Sequence, residues 1–165
     1  AIGASLQANP EFNRSLAADG DSYIQKHYIN VGMAVDTPRG LVVPVIKDVN
    51  EKGIWEISAD IAALAGLARE GKLKASDMRG GCFTLSSLGA IGGTGFTPIV
   101  NAPESGILGV SKSQMKAVWN GHEFVPRLLL PLCLSYDHRL INGADAGRFM
   151  THLVRLCSDI RYLTL

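Results

Sequence analysis

Two segments of the chain carry apolar residues at the three- and four-residue spacing of an amphipathic helix. They predict one helix from Ile54 to Arg69 and another from about Ala144 to Tyr162. The apolar positions are Ile54, Ile57, Ile61, Leu64 and Ala68 in the first, and Phe149, Leu153, Leu156, Ile160 and Leu163 in the second. A further helix is predicted to end before Pro10, because proline cannot continue a helix. Each long helix should therefore pack one face against a core.

Alternating or continuous apolar runs predict strands between these helices. Two strand-like halves flank the turn Thr37–Gly40, and the second half, Leu41–Ile46, is apolar on both faces apart from Pro44, as in a buried strand. Further strands are predicted at Cys82–Ser86 and Ser105–Ser111, in a hairpin at Lys116–Val125 around Asn120-Gly121, and at Leu128–Tyr136. The loose alternation of strands and helices predicts an α/β fold, in which a mixed sheet carries helices on one face.

Composition excludes several classes of function. The 165 residues suffice for one domain with its own core, so neither a metal nor a disulfide is needed for stability. The net charge is +1, from 16 basic and 15 acidic residues, and gives no indication of nucleic acid or of an anionic membrane as a partner. The apolar runs are shorter than the roughly 20 residues that span a bilayer. Three widely spaced cysteines are typical of a reducing compartment.

Motifs for phosphate and metal chemistry are incomplete. Gly66–Leu73 nearly matches a P-loop, but Leu73 stands where Ser or Thr would bind magnesium. The segment "GAIGGTG" is not a dinucleotide fingerprint, because no helix is predicted to begin there. It is either a tight loop or a loop whose bare backbone lets a ligand approach closely. His27, His122 and His152 lack partners at metal-ligand spacing, so no metal site is predicted.

The most informative polar residues follow the apolar run Leu128–Tyr136. Asp137, His138 and Arg139 are three ionisable residues in a row at the predicted end of a buried strand. Because side chains alternate along a strand, His138 should lie on the same side as Tyr136 and emerge where the strand stops. Either Asp137 and Arg139 hold the strand end in place, or the chain requires a histidine there for chemistry. The residues alone leave both interpretations open.

Three segments of the sequence resemble one known family. "SYDHRLINGADAGRF" is similar to the D-H-R-x-x-D/N-G active-site signature of the acyltransferase component of 2-oxo acid dehydrogenase complexes, and more loosely to the H-x-x-x-D-G motif of chloramphenicol acetyltransferase. "VGMAVDTPRGLVVPVIKDV" and "GGCFTLSSLGAIGGTGFTPIVNAPESGILGV" resemble two further blocks of the same family. Their order and spacing agree over essentially the whole chain, which is therefore identified as a member of that family.

The resemblance implies a fold, a domain organisation and an assembly. The fold would be α/β and chloramphenicol acetyltransferase-like, a two-layer mixed β-sheet with helices on one face. Residues 1–165 would form a single catalytic acyltransferase domain, truncated at its N-terminus, without the family's lipoyl and subunit-binding domains. A homotrimer would assemble into a larger cubic core in a bacterial-like cytoplasm. The dehydrogenase and dihydrolipoamide dehydrogenase components would bind through the missing domains.

The resemblance also implies catalytic roles. Acyl transfer between two thiols needs a base, since thiols are mostly protonated at pH 7, and His138 would take that role as a neutral imidazole. Ser86, rather than the adjacent Ser87, would donate a hydrogen bond to the oxyanion of the tetrahedral intermediate. Asn142 is assigned to the same catalytic group, although the broader superfamily has Asp at this place. It would either orient the loop or form a hydrogen bond within the site.

The remaining assignments concern the loop and the substrates. Asp137 and Arg139 would fix the geometry of the loop around the histidine. Coenzyme A would be one substrate, and the other would be a lipoyl group carried on a separate domain. The two would enter opposite ends of a channel between subunits, with the histidine and the serine supplied by different chains. Substrate-binding residues are expected at Gly92, Gly93, Thr94, Phe96, Ile99 and Leu108.

The favoured activity is transfer of an acetyl group from S-acetyldihydrolipoamide to coenzyme A. Asn142 favours it, because an asparagine here resembles acetyl-transferring members of the pyruvate dehydrogenase type. Three alternatives remain. The chain could transfer succinyl or branched-chain acyl groups, it could use a hydroxyl acceptor as chloramphenicol acetyltransferase does, or it could be a non-catalytic scaffold of the core.

Overall fold

The computed structural model describes residues 1–164, with the side chains of residues 1–163. In this part of the chain the helices are α1 (Ile2–Ala8), α2 (Ile54–Arg69), α3 (Gly143–Ser158) and α4 (Arg161–Thr164), with 3₁₀ turns at Pro10–Asn13 and Ala75–Met78. The strands are β1 (Arg14–Leu16), β2 (Tyr23–Gln25), β3 (Val31–Met33), β4 (Val35–Thr37), β5 (Gly40–Val42), β6 (Val45–Ile46), β7 (Phe83–Ser87), β8 (Gly106–Val110), β9 (Gln114–Trp119), β10 (Phe124–Leu129) and β11 (Leu132–Tyr136).

A five-stranded mixed sheet in the order β11-β8-β7-β3-β6 forms the centre of the fold. The two inner pairs, β8 with β7 and β7 with β3, are parallel, and the two edge strands run antiparallel to their neighbours. Three two-stranded antiparallel ribbons, β1-β2, β4-β5 and β9-β10, surround this sheet. The predicted mixed sheet is therefore confirmed. Its strands are short, and β7 is the central one.

The helices pack on one face of the sheet, as predicted. The buried core combines Leu6 of α1 and Phe149 of α3 with strand residues such as Phe83, and Ile57 and Ile61 of α2 pack against it. The Phe149 ring lies 4.3 Å from the Phe12 ring and 5.4 Å from the Phe83 ring, measured between centroids. This aromatic contact joins α3, the first 3₁₀ turn and β7 into one core.

The opposite face of the sheet is crossed by the segment between β7 and β8, here called the glycine-rich loop (residues 88–104). The Phe96 ring lies against Gly109 of β8 so closely that a Cβ there would be 2.8 Å from the ring. Gly95 lies against Cys133 of β11, where a Cβ would be 3.6 Å from the sulfur. The loop therefore replaces helices as the cover of this face.

Helix α2 begins and ends where the sequence pattern predicted. Its first turn is closed by the Glu56 carboxylate, which accepts a hydrogen bond from the Gly53 amide at 2.8 Å. Past its end, Gly71 adopts φ 67°, a conformation that glycine reaches without steric cost. Its apolar stripe is shallower than predicted, because Ile54 is 55% exposed and only Ala68 is fully buried.

The C-terminal helix is shorter than predicted. Asp159 has extended dihedral angles, φ −144° and ψ 108°, so α3 ends at Ser158 and a separate short helix, α4, follows. Phe149, Leu153 and Leu156 are buried as predicted, whereas Ile160 is 63% exposed. The four-residue periodicity therefore continued beyond the helix that it predicted.

The predicted buried strand Leu41–Ile46 is in fact two strands. Leu41 lies in β5, which pairs only with β4, and its side chain is 68% exposed. Val45 and Ile46 form β6, which pairs with β3 and is buried. Pro44 separates the two, because it cannot donate a ladder hydrogen bond within a sheet.

The predicted strand Leu128–Tyr136 is likewise divided, at Pro131. Its first two residues belong to β10 of the two-stranded β9-β10 ribbon, where Leu128 is 67% and Leu129 41% exposed. Only β11 joins the central sheet. The ribbon confirms the predicted hairpin, but four residues, 120–123, separate its strands, and the Asn120 amide donates to the Glu123 carbonyl across this loop at 3.1 Å.

Candidate active site

His138 lies in a tight turn between β11 and α3, here called the His138 turn (residues 137–142). The Asp137 amide donates to the Ser105 carbonyl at 2.8 Å, and the amides of Leu140 and Ile141 donate to the Asp137 carbonyl at 3.0 and 3.1 Å. These bonds close the turn directly after the last strand residue. The His138 side chain is exposed, with its ring centroid 5.7 Å from that of Tyr136. The turn thus presents an accessible imidazole on a backbone that is fixed on both sides.

Asp137 and Arg139 interact with each other across the histidine. The Arg139 backbone amide and Nε donate to Asp137 Oδ1 at 3.0 and 2.9 Å, and Nη2 donates to Oδ2 at 2.6 Å. The Arg139 side-chain hydrogen bonds, together with its backbone bond and charge, hold the pKa of Asp137 below its usual value against the opposing effect of burial. These are the contacts that a loop-fixing role requires of the pair.

Asn142 is the N-cap residue of α3. Its Oδ1 accepts hydrogen bonds from the amides of Ala144 and Asp145 at 2.9 and 3.0 Å. Among the described residues, the side-chain amide of Asn142 has no acceptor, so its two N–H bonds remain available at the exposed end of the turn. The residue therefore combines a structural function through its oxygen with a free donor through its nitrogen.

Ser86 lies near the end of β7, on the sheet face that the glycine-rich loop covers. It shares this face with Thr84, because side chains two residues apart point the same way. Its partner across the ladder is Gly109, the residue beneath the Phe96 ring. Ser86 is half-buried, and within the described part of the chain its hydroxyl makes no hydrogen bond, whereas Ser87 is exposed. An uncommitted donor next to a glycine and an aromatic ring is suited to bind a substrate oxygen.

The residues predicted to bind substrates do not all lie together. Gly92 and Gly93 have φ values of 127° and 85°, in the region that favours glycine. Gly92 is half-buried, whereas Gly93 and Thr94 are exposed. Phe96 lies next to the Ser86 ladder position, and Ile99 is 90% exposed. The sixth residue, Leu108, lies apart from these five. Leu108 is 3% exposed, and its side chain packs in the core beneath the helices.

Within one chain, Ser86 and His138 lie at opposite ends of the sheet. Ser86 pairs with Gly109, whereas Tyr136, the last residue of β11, pairs with Gly106. These ladder positions differ by roughly 10 Å along the strands and by two strand spacings of about 4.8 Å across them. His138 lies two residues further away still. A single chain therefore brings together His138, Asp137, Arg139 and Asn142, but not Ser86.

Comparison with protein families identifies the chain. The model of the 2-oxoacid dehydrogenases acyltransferase (catalytic domain) family matches residues 1–165. The chain belongs to this family.

Relatives in the family include the dihydrolipoyllysine-residue acetyltransferase component of the pyruvate dehydrogenase complex of Haemophilus influenzae. It is 59% identical over 165 residues, which are 100% of this chain and 29% of that protein. The chain thus spans less than a third of this relative's length. The corresponding protein of Pseudomonas aeruginosa is 59% identical over 160 residues, 97% of this chain and 29% of that protein.

Solved structures place the chain among acyltransferase cores. The Azotobacter vinelandii dihydrolipoamide acetyltransferase, studied for the role of a serine, a histidine and an asparagine in its catalytic mechanism, is similar with a TM-score of 0.95 and 56% identity over 99% of this chain and 68% of that one. The cubic core of a pyruvate dehydrogenase multienzyme complex is similar to the same extent. A chloramphenicol acetyltransferase, 17% identical, covers 90% of this chain and 70% of that one with a TM-score of 0.57, which supports the predicted fold.

Two further observations concern the rest of the acyltransferase domain. Among the residues that the structure describes, no cluster of three or more His, Cys, Asp or Glu side chains could hold a metal ion, and no helix is both long and apolar enough to cross a membrane. Sequence reasoning missed Glu104, a buried carboxyl at the end of the glycine-rich loop that is 6% exposed. Its only signal was its position beside Pro103, at the edge of a predicted strand.

Proposed function

We propose that the chain transfers an acetyl group from S-acetyldihydrolipoamide to coenzyme A. The observation that carries the proposal is the spacing of three residues. In the Azotobacter vinelandii enzyme, the serine under study precedes the histidine by 52 positions and the asparagine follows it by four. Ser86, His138 and Asn142 have the same separations, 138 − 86 = 52 and 142 − 138 = 4. Ser87 lies one position out of register, which supports Ser86 as the oxyanion donor.

The separation of Ser86 and His138 within one chain supports a site shared between two subunits. The two side chains emerge at opposite ends of the central sheet, so they can act on one reacting carbon only if neighbouring chains contribute one each. A cyclic homotrimer repeats such a contact three times and closes on itself. The similarity to a solved cubic core supports the further assembly of these trimers. We also propose that the two dehydrogenase components and the lipoyl domain act through segments outside the present chain, in a bacterial cytoplasm.

The chemistry follows from these positions. His138 takes the proton of the coenzyme A thiol as its sulfur attacks the thioester carbon. The carbonyl oxygen becomes an oxyanion, which accepts a hydrogen bond from the Ser86 hydroxyl. Collapse of the intermediate breaks the bond to the dihydrolipoamide sulfur, and the His138 imidazolium returns its proton to that sulfur. The reaction therefore exchanges one thioester for another and consumes no other reactant.

The turn residues support the role of the histidine. A base is effective only if its ring is held in reach of the thiol. The mutual bonds of Asp137 and Arg139 restrict the backbone on both sides of His138. The free N–H groups of Asn142 are four residues away, where they can donate to a substrate carbonyl or thioester oxygen. We therefore assign Asn142 two roles, a hydrogen-bond donor to the substrate and the N-cap of α3.

The test is a transfer assay with a panel of acyl donors and acceptors. Acetyl-CoA with dihydrolipoamide should react at least about tenfold faster than succinyl-CoA or branched-chain acyl-CoA, since an additional group must fit the same pocket. Transfer only to hydroxyl acceptors would contradict the proposal, as would a preference for a larger acyl group. Absence of any transfer from an assembled particle would instead favour a scaffold.

A further inference from the structure

The reaction leaves one buried ionisable group of this sheet face unexplained. Glu104 lies at the end of the glycine-rich loop, two residues before β8, and only 6% of it is exposed. An ionised carboxylate in such a place loses its hydration, which makes its burial costly unless it is paired and hydrogen-bonded. Burial accordingly raises the pKa of Glu104, against the lowering effect of its hydrogen bonds and of Lys26. A side chain with this cost requires a specific function.

The partners of Glu104 come from β7 and from its own loop. The Thr84 hydroxyl donates to Glu104 Oε2 at 2.5 Å, and the side-chain amide of Asn101 donates to Oε1 at 3.4 Å. Thr84 is 1% exposed. A short bond from a hydroxyl to a carboxylate is charge-assisted and roughly twice as strong as a neutral one. Glu104 thus joins the end of the glycine-rich loop to the middle of β7.

Two glycines make room for this carboxyl group. A Cβ at Gly81, just before β7, would lie 2.5 Å from Glu104 Oε1. A Cβ at Gly32 of β3 would lie 2.8 Å from Val43 Cγ1 and 2.9 Å from the Thr84 hydroxyl oxygen. Neither glycine has a positive φ, so backbone conformation does not require them. The space that Glu104 occupies instead explains Gly81, and Thr84 together with Val43 explains Gly32.

Thr84 and Glu104 are each connected to the Ser86 position, one through β7 and the other through the glycine-rich loop. Along β7, Thr84 and Ser86 are two residues apart on the same face. Through the loop, Glu104 holds the end of the segment that carries Phe96, and the Phe96 ring covers Gly109, the ladder partner of Ser86. The strand that presents the hydroxyl and the loop that covers it therefore meet at one buried hydrogen bond.

We propose that Glu104 is a positioning residue for the acyl transfer, which through its bond to Thr84 holds Ser86 and the glycine-rich loop in the arrangement that binds the oxyanion. The inference rests on the proposed function and adds a residue to it. Glu104 touches no substrate in this account. It acts through β7 and through the loop, and its effect on the reaction therefore depends on the Ser86 hydroxyl.

The experiment compares Glu104→Gln with Glu104→Gln/Ser86→Ala in assembled protein, with acetyl-CoA and dihydrolipoamide as substrates. Glu104→Gln keeps the shape but replaces the charge-assisted bond by a neutral one, and kcat should fall about fivefold with KM nearly unchanged. In the Ser86→Ala background the same change should lower kcat by less than about twofold, because the hydroxyl that Glu104 would position is then absent. Thr84→Val should lower kcat to the same extent as Glu104→Gln. Thr84→Ser, which keeps the hydroxyl, should retain the wild-type kcat.

Ser15→Ala is the matched control. The Ser15 hydroxyl donates to the Pro103 carbonyl at 2.6 Å, so this variant removes one partly buried hydrogen bond from the same end of the glycine-rich loop without altering β7. Its kcat should stay within about twofold of the wild type. The inference is overturned if Ser15→Ala lowers kcat as much as Glu104→Gln, or if the effects of Glu104→Gln and Ser86→Ala simply multiply. Full activity of Ser86→Ala alone would overturn the proposed role of Ser86 and this inference with it.

Discussion

The His138 turn and the Ser86 end of β7 are organised in opposite ways. In the turn, the contacts that fix the histidine come almost entirely from residues 137–145, through the bonds of Arg139 to Asp137 and the cap formed by Asn142. Around Ser86, the neighbours come from distant segments, Gly109 in β8 and Phe96 in the glycine-rich loop. The proposed base is therefore positioned by local sequence and the proposed oxyanion donor by the tertiary fold. Substitutions should consequently have local effects in the first region and distributed effects in the second.

The largest effect is expected for His138→Ala. Removing the proposed base should lower acetyl transfer by about 10²–10⁴, while the melting temperature and the particle size stay unchanged because the side chain is exposed. Transfer kinetics together with a thermal melt check this prediction. Full activity in the variant would reduce His138 to a structural residue of the turn.

Ser86→Ala should have the next largest effect, about 10²–10³ in kcat, since it removes the hydrogen bond that we propose Ser86 donates to the oxyanion. Ser87→Ala is the control, because this neighbouring hydroxyl is exposed and one position out of register. Its kcat should remain near that of the wild type. Equal loss of activity in the two variants would contradict the assignment of Ser86, rather than Ser87, to the face of β7 that binds the substrate.

Asn142 allows the two roles of one side chain to be separated. Asn142→Asp keeps an oxygen to cap α3 but loses the N–H donors, so transfer should fall while stability is retained. Asn142→Ala loses both, and should also lower the free energy of unfolding by about 1 kcal/mol. Chemical denaturation and transfer kinetics on both variants give the answer. An Asp variant with full activity would leave Asn142 only its structural role.

The smallest effect is expected for Arg139→Ala, and it should depend on pH. Hydrogen bonds from Arg139 lower the pKa of Asp137 in the folded state. A carboxyl group whose folded pKa is depressed stabilises the fold above its unfolded pKa of about 4, and this contribution is lost as pH falls through the folded value. The difference in melting temperature between wild type and Arg139→Ala should therefore be present at pH 7 and shrink below about pH 4. A difference that does not change with pH would contradict the pairing.

The sequence predicted the local features of the fold better than the distant ones. Helix α2 was predicted at its observed bounds because periodicity and capping are both local signals. The apolar runs Leu41–Ile46 and Leu128–Tyr136 were each misread as one buried strand. An apolar run does not indicate which neighbouring strand it pairs with. From the sequence alone, the exposed Leu41 and Leu128 cannot be distinguished from the buried Val45.

The candidate site follows the same rule. The turn residues Asp137, Arg139 and Asn142 could be grouped from their spacing alone. The position of Leu108 apart from Ser86 could not be predicted, because the register of β8 decides which face a residue occupies, and that register depends on two neighbouring strands. Glu104 was missed for a related reason, since its partner Thr84 is 20 positions away. What the sequence leaves open is set by pairing between segments that lie far apart in the chain.

The central claim is that His138 and Ser86 of one active site come from different chains, and mixing two inactive variants tests it most directly. Co-expression of His138→Ala and Ser86→Ala chains in equal amounts should give particles with about a quarter of the wild-type activity. In a closed trimer, that is the fraction of contacts in which an intact histidine meets an intact serine. Activity no higher than that of the separate variants would show that each site is formed within one chain, and would contradict the account.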